Sequence, residues 1–230
     1  PSLSESTMVA RDGALAHYED ARIHFQHLSC RESVQALAAA KDAGARVSGE
    51  VTPHHLTLTD DVVRTLDSRF KMNPPLRTER DRQALIQALE TGLVDCIATD
   101  HAPHAPHEKE VPFEQAPMGT TGLETAFAAL FTELVVTGEI ELSTVIARLT
   151  DGAALYGLPT PRIAPGEPAN LCLVDLEARW EVGAEGYVSR SSNCCFHGRT
   201  LHGRVLLTLA AGANVFRHPM LAGAGALSAR

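Results

Sequence analysis

The chain has 230 residues, with 20 Lys+Arg against 28 Asp+Glu, so its formal charge is −8 and the basic footprint of a nucleic-acid-binding protein is missing. Hydrophobic residues make up 44% and charged residues 21%, a globular balance that excludes general disorder and allows one sizeable core. No apolar run reaches the roughly 18 residues of a membrane span, and no basic-then-apolar leader opens the sequence. The expectation is a cytoplasmic protein with no membrane partner. Five scattered cysteines without a C-x-x-C pair exclude a zinc finger and a disulfide framework, and the adjacent Cys194 and Cys195 read as small apolar residues.

The sequence starts at Pro1 and runs at once into a helical pattern from Glu5 to Tyr18, so it reads as a piece of something longer. Arg22 to His27 is strand-like. Ser29-Cys-Arg-Glu32 reads as a capping box opening an alanine-rich helix that Gly44 closes. Arg46 to Val51 predicts a second strand, and Thr52-Pro-His-His55 a loop. Thr78, Asp81 and the spacing of Leu85, Ile86 and Leu89 predict a helix ending at Gly92. Asp95 to Thr99 predicts a third strand, followed by a Pro- and His-rich loop from Asp100 to Pro117. Thr121-Gly-Leu-Glu124 then reads as the cap of an apolar helix through Val136, and Ser143 to Leu149 as a shorter one. The stretch from Gly157 to Pro168 is rich in Pro and Gly. Beyond it Asn170 to Asp175 and Arg204 to Ala210 predict strands ended by Gly212-Ala-Asn214.

Strands alternating with helices predict an α/β fold with a mainly parallel sheet, and the absence of G-x-G-x-x-G and of G-x-x-x-x-G-K-[ST] disfavours a nucleotide fold. Reactive residues cluster just past the strands: His27, then His54 and His55, then Asp100, His101 and His104. Chemistry at the carboxyl ends of parallel strands belongs to a (β/α)₈ TIM barrel, which takes about 250 residues. Three strand units are too few, so the expectation is the C-terminal portion of such a barrel over residues 1–157, a small β appendage over 158–217 and a tail over 218–230.

A lone histidine at a strand end is more often structural than a ligand, and the same holds for Asp100 alone. Their coincidence points to a metal centre, because imidazole and carboxylate from neighbouring strand ends would face one axis. His54 and His55 fit hydrogen-bonding support better than coordination. His101 is expected to orient Asp100 or its loop, His107 to be solvated and Lys71 to cover the rim. Arg77 is a candidate helper in binding an anion at the barrel mouth, with a structural role slightly favoured. The loop from Pro103 to Pro117 is long for a structureless connection, which favours a lid.

His27-Leu-Ser29, Glu50-Val-Thr-Pro-His-His-Leu56, Phe70-Lys-Met-Asn-Pro-Pro-Leu-Arg77, Ala98-Thr-Asp-His-Ala-Pro-His104 and Pro117-Met-Gly119 resemble, in order and spacing, the signatures of bacterial type I dihydroorotases of the amidohydrolase superfamily. Allantoinases and dihydropyrimidinases share that architecture and look less similar at the Asn-Pro-Pro-Leu-Arg and Asp-His-Ala-Pro-His segments. The resemblance implies a zinc-dependent enzyme, with one or two Zn2+ ions, that interconverts N-carbamoyl-L-aspartate and dihydroorotate in pyrimidine biosynthesis. It implies that His27, ending barrel strand six, and Asp100, ending strand eight, are metal ligands, and that Asp100 is also the catalytic acid and base. Asn73 would hydrogen-bond the substrate ring, His104 would lie beside its carboxylate, and Met118 and Gly119 would meet it through the backbone. The family often has Phe where Met118 stands.

Family assemblies include homodimers and complexes with aspartate transcarbamoylase. The family's other ligands, a His-x-His pair after strand one, an aspartate or carboxylated lysine after strand four and a histidine after strand five, have no counterpart here. These 230 residues alone are therefore expected neither to hold a binuclear centre nor to catalyse. A non-catalytic dihydroorotase-like partner and an allantoinase- or hydantoinase-type enzyme are the alternatives.

Overall fold

A computed structural model describes residues 1–160 and 162–222. Helix α1 (Ser2–Tyr18) leads into strand β1 (Arg22–Phe25), helix α2 (Arg31–Asp42), strand β2 (Arg46–Val51), a single helical turn α3 (Pro53–Thr57), helix α4 (Glu79–Thr91) and strand β3 (Cys96–Ile97). The three strands are parallel in the order β1-β2-β3, pairing Arg22 with Arg46 and Glu50 with Cys96. Two βαβ crossovers thus set all three strand ends at one edge of the sheet.

The helices form because their apolar positions recur at helical spacing and face the sheet. Val34, Leu37 and Ala40 of α2 and Leu85, Ile86 and Leu89 of α4 are buried with Val47 and Val51 of β2. A buried leucine of this kind stabilises by about 1.5–3 kcal/mol. Gly49 permits the close approach, since a Cβ there would stand 2.9 Å from methyls of Leu28 and Leu37. Thr78 and Asp81 make the expected capping box of α4, and Gly92 ends it in the left-handed conformation at φ 81°. Lys41 ties the end of α2 to the sheet by donating to Asp95 at 2.9 Å, while the Gly49 N–H donates to the same carboxylate at 2.8 Å.

Two expected caps are not made. Cys30, not Ser29, stands at the N-cap of α2 and makes no side-chain cap bond. Ser29 instead gives its N–H and its hydroxyl to Glu5 of α1, and Glu32 pairs with Arg31. The expected helix from Thr121 begins at α6 (Ala126–Leu130), after the short α5 (Pro106–Lys109), and continues as a π-helical stretch through Val135. Residues 121–124 are taken by tertiary partners: Thr121 N–H donates to Asn193, and Glu124 accepts from the amides of Val188 and Ser189. A local cap loses where distant partners satisfy the same groups. Helices α7 (Leu142–Thr150) and α8 (Gly152–Leu155) follow.

Strands β4 (Leu171–Glu181), β5 (Thr200–Ala210) and β6 (Ala213–Arg217) form an antiparallel sheet, so the turn expected to end the second of these strands opens a third one. A second core joins Leu58, Met72, Leu76 and Ala129 to Val182, Cys194, Cys195, Phe196 and Leu201. The connection between β4 and β5 is thereby built into the loops above the parallel sheet. Cys194 and Cys195 are packing residues there; burial pushes the Cys195 thiol up to about 12. Of the expected tail, Pro219–Ala222 is a 3-10 turn and residues 223–230 lie outside the described residues. No helix among the described residues is long and apolar enough to cross a membrane.

Candidate active site

The parallel strands deliver their chemistry to one edge. His27 follows β1, Thr52 to His55 follow β2, and Asp100 to His104 follow β3. His27 and Asp100 both have left-handed backbones, with φ of 40° and 47°. For a residue with a Cβ that conformation costs roughly 1–2 kcal/mol and is retained where the surroundings impose it.

His27 is half-buried, and its Nδ1 is buried with no hydrogen-bond partner. A buried polar atom left unpaired costs about 1–3 kcal/mol, and this nitrogen has no partner among the described residues. Asp100 is exposed. Strand β2 lies between them, so their backbones stand two strand spacings apart, about 10 Å, and only long inward reach brings the two donors towards one axis. Two donors do not complete a catalytic zinc site, which needs at least three protein ligands.

His54 and His55 form the floor between these strand ends. Thr52 caps α3 and fixes His55: its hydroxyl donates to His55 Nδ1 at 2.8 Å, while His55 Nε2 donates to the Pro74 carbonyl at 3.0 Å. Both ring nitrogens are used within the protein, so His55 is support and not a ligand. Burial pushes its pKa down to about 4 despite the Pro74 contact, and pushes His54 well below the ordinary imidazole value, with His55 and His27 adding repulsion.

A second group of predicted residues forms a cradle beside this edge. His104 Nε2 donates to the Met118 carbonyl at 2.9 Å, and His104 Nδ1 stands 3.8 Å from Glu108. Gly119 adopts φ +121°, and a Cβ there would fall 2.6 Å from Ala102 Cβ, so the turn requires glycine. Its N–H donates to the Lys71 carbonyl at 2.7 Å, which draws the segment carrying Asn73 to the cradle. Asn73 and Met118 are exposed.

Sequence reasoning missed the residues that hold the cradle together. Asn193, from the β4–β5 connection, accepts from the His104 N–H at 3.0 Å and donates to the carbonyls of Ala102 and Gly119 at 2.9 and 3.3 Å. Lys109 is buried and donates to the carbonyls of Ser68 and Pro117 at 2.9 and 2.8 Å; burial, then Lys71 nearby, lowers its pKa. The loop from Pro103 to Pro117 is thus not structureless, since it contains α5 and is pinned by this lysine. Nothing in the local sequence marks Asn193 or Lys109, because both act on carbonyls far away in the chain.

The secondary expectations resolve in the same way. His101 Nδ1 accepts from the Gly122 amide at 3.1 Å and the Leu123 amide at 3.4 Å, so it orders the following loop. His107 is exposed. Lys71 donates to the Glu114 carbonyl and lies 5.6 Å from the Phe113 ring centroid, covering the rim. Arg77 donates to Ser29 at 3.1 Å and pairs with Glu5 at 3.5 Å, a strut between the loops carrying His27 and Asn73. Burial alone would raise Glu5, but the bonds from Ser29 and Ser33 and the charge of Arg77 hold it below the ordinary carboxylate value.

No family profile matches the chain. Among solved structures it is similar to a dihydropyrimidinase from Brevibacillus agri, with a TM-score of 0.86 at 28% identity over 94% of this chain and 49% of that one. It is similar also to an L-hydantoinase (dihydropyrimidinase) from Arthrobacter aurescens, with a TM-score of 0.86 at 26% identity over the same shares. The fold is therefore the C-terminal portion of an amidohydrolase (β/α)₈ barrel carrying a small β appendage.

The sequence narrows this class. A dihydroorotase from the Wolbachia of Brugia malayi is 45% identical over 217 residues, 94% of this chain and 49% of that protein. One from Halalkalibacterium halodurans is 44% identical over 223 residues, 96% of this chain and 52% of that protein. The chain is homologous to dihydroorotases over nearly its whole length, and it spans about half the length of these relatives.

Proposed function

We propose that this chain supplies one half of a zinc-dependent dihydroorotase, a cyclic amide hydrolase acting on a small molecule. The observation that carries this reading is the orphaned His27 Nδ1 at the same edge of a parallel sheet as Asp100, two strands away, with a glycine-floored cradle next to that edge. His27 and Asp100 fit a divalent metal, as an imidazole nitrogen unpaired and a carboxylate without a competing cation among the described residues; the remaining ligands would belong to the other half of such a protein. A metal held there would supply water activated for attack at neutral pH.

This chain's residues account for the rest. Asp100 takes the proton of the attacking water and passes it to the leaving ring nitrogen, so one carboxylate serves as base and then acid. Asn73 donates to the ring. His104 faces the substrate carboxylate, and it offers Nε2–H to that anion only by leaving the Met118 carbonyl. The peptide groups of Met118 and Gly119 are held by His104, Lys71 and Asn193, so main-chain contact with the ring proceeds by exchange of these bonds. A cytoplasmic place in pyrimidine biosynthesis, and assembly as a homodimer or with aspartate transcarbamoylase, belong to the same reading.

The hydantoinase and dihydropyrimidinase structures favour a second reading in which the ring differs and the chemistry is kept. Joining this chain to the other half of such a protein and assaying dihydroorotate, hydantoin, dihydrouracil and allantoin decides between them. Turnover should be greatest on dihydroorotate, vanish with a chelator and return with zinc. Preference for another ring selects the second reading, and zinc uptake without turnover on any ring makes the chain a non-catalytic partner.

A further inference from the structure

About 10 Å deeper along the strands, on the face of the sheet opposite α2 and α4, three more donors converge. His24 of β1 is paired with Ser48 of β2, Glu50 lies two residues further along β2, and Cys96 of β3 is paired with Glu50, so all four side chains share one face. The donor atoms of His24, Glu50 and Cys96 all lie within 4.8 Å of one another. None of the three belongs to the strand-end residues described above.

The local geometry is that of a held ligand set. His24 Nε2 stands 2.9 Å from Glu50 Oε2, and His24 Nδ1 stands 2.8 Å from Ser48 Oγ. A hydroxyl on one ring nitrogen holds the plane of the imidazole and can accept from Nδ1–H when the other nitrogen ligates a metal. The side chains are shielded, His24 being 15% and Glu50 10% exposed, with Cys96 buried. An open cleft lined by Arg22, His24, Ser48, Asp95 and Leu155 leads to the cluster, and the Tyr156 ring meets His24 edge-on at 5.8 Å.

We propose that His24, Glu50 and Cys96 form a second divalent-metal site, separate from the strand-end centre, that takes Zn2+ or a similar borderline-soft ion such as Co2+. Imidazole, carboxylate and thiolate together suit these ions better than Mg2+ or Ca2+, which prefer all-oxygen shells. Ligands around a tetrahedral zinc stand roughly 3.3–3.7 Å apart. Closing the cluster therefore takes a shift of about 1 Å, within the reach of the Glu50 and His24 side-chain rotations. On binding, the Cys96 thiol proton leaves to solvent, the His24 ring proton passes from Nε2 to Nδ1, which donates it to Ser48 Oγ, and the His24–Glu50 hydrogen bond is exchanged for two metal bonds; water fills the fourth position. Burial, with Glu50 and Asp95 nearby, pushes the free Cys96 thiol up to about 12, so without a metal this cysteine is inert.

The site does not depend on the proposed activity, and its test does not read it. The metal-free chain is titrated with Co2+ and followed by the near-ultraviolet charge-transfer band that only thiolate ligation produces. One Co2+ per chain should bind with this band and be displaced by Zn2+. Affinity should fall at least tenfold in Cys96→Ser, with loss of the band, and at least tenfold in His24→Gln, while His27→Ala keeps the band. Circular dichroism checks each fold; should Cys96→Ser fail to fold, His24→Gln and Glu50→Gln, which retain the thiol, carry the same tenfold expectation. A folded wild-type chain without the band overturns the proposal. So does a band unchanged in both Cys96→Ser and His24→Gln, which assigns the ion to another cysteine and leaves His24 and Glu50 as a hydrogen-bonded pair.

Discussion

The strand-end donors and the neighbouring cradle were expected to be parts of one site, yet the chain treats them differently. The cradle is self-sufficient: His104, Met118, Gly119, Lys71 and Asn193 satisfy one another through bonds drawn from three distant segments. The strand ends are not, since His27 Nδ1 has no partner and Asp100 stands exposed. A region that closes its hydrogen bonds within the chain can be preorganised by the chain. A region that leaves a buried nitrogen unpaired is organised by what binds it.

That contrast is tested most severely at Asp100. With this chain joined to the other half of a dihydroorotase, Asp100→Asn should lower turnover by about a thousandfold, the scale of general acid–base catalysis, and leave the melting temperature unchanged. A variant that melts lower would mean the exposed carboxylate is part of the fold after all. In the cradle the order of effects reverses. Gly119→Ala forces a side chain at φ +121° against Ala102, so a stability loss of about 3 kcal/mol is expected in urea unfolding.

The floor of buried histidines between the strand ends gives the pH dependence. His55 falls to about 4 in the folded chain against about 6.5 when unfolded, so the unfolded chain takes up a proton that the folded one refuses. Its contribution is complete above pH 6.5 and is lost as the pH falls towards 4, by about 3 kcal/mol. The urea midpoint should drop between pH 7 and pH 4.5, and His55→Gln should reduce that drop, the remainder belonging to His54. An equal drop in His55→Gln would assign the effect elsewhere. The smallest effect is expected at Met118, whose side chain is exposed and whose proposed contact is through the main chain: Met118→Ala should change stability by less than about 0.5 kcal/mol and leave KM close to its original value.

Periodicity and turn residues placed α1, α2, α4 and the three parallel strands, because each buries one face at a regular spacing that the sequence writes locally. The capping box at Thr78 was legible for the same reason, since both of its partners lie within four residues. The box expected at Ser29 failed because Glu5, 24 residues away, takes the serine, and the one expected at Thr121 failed because Val188 and Ser189 take Glu124. Local signals lose when a distant partner takes the same group.

The order of the motifs around His27, Asn73, Asp100, His104 and Gly119 was thus determined by the sequence alone, and with it the amidohydrolase class. Tertiary structure alone decided that Asn193 and Lys109 hold the cradle, that His55 is closed to metal by Thr52 and Pro74, and that His24, Glu50 and Cys96 meet. Those facts depend on which strands lie side by side. A chain specifies such neighbours only through the sum of its packing, and no short segment carries a sign of them.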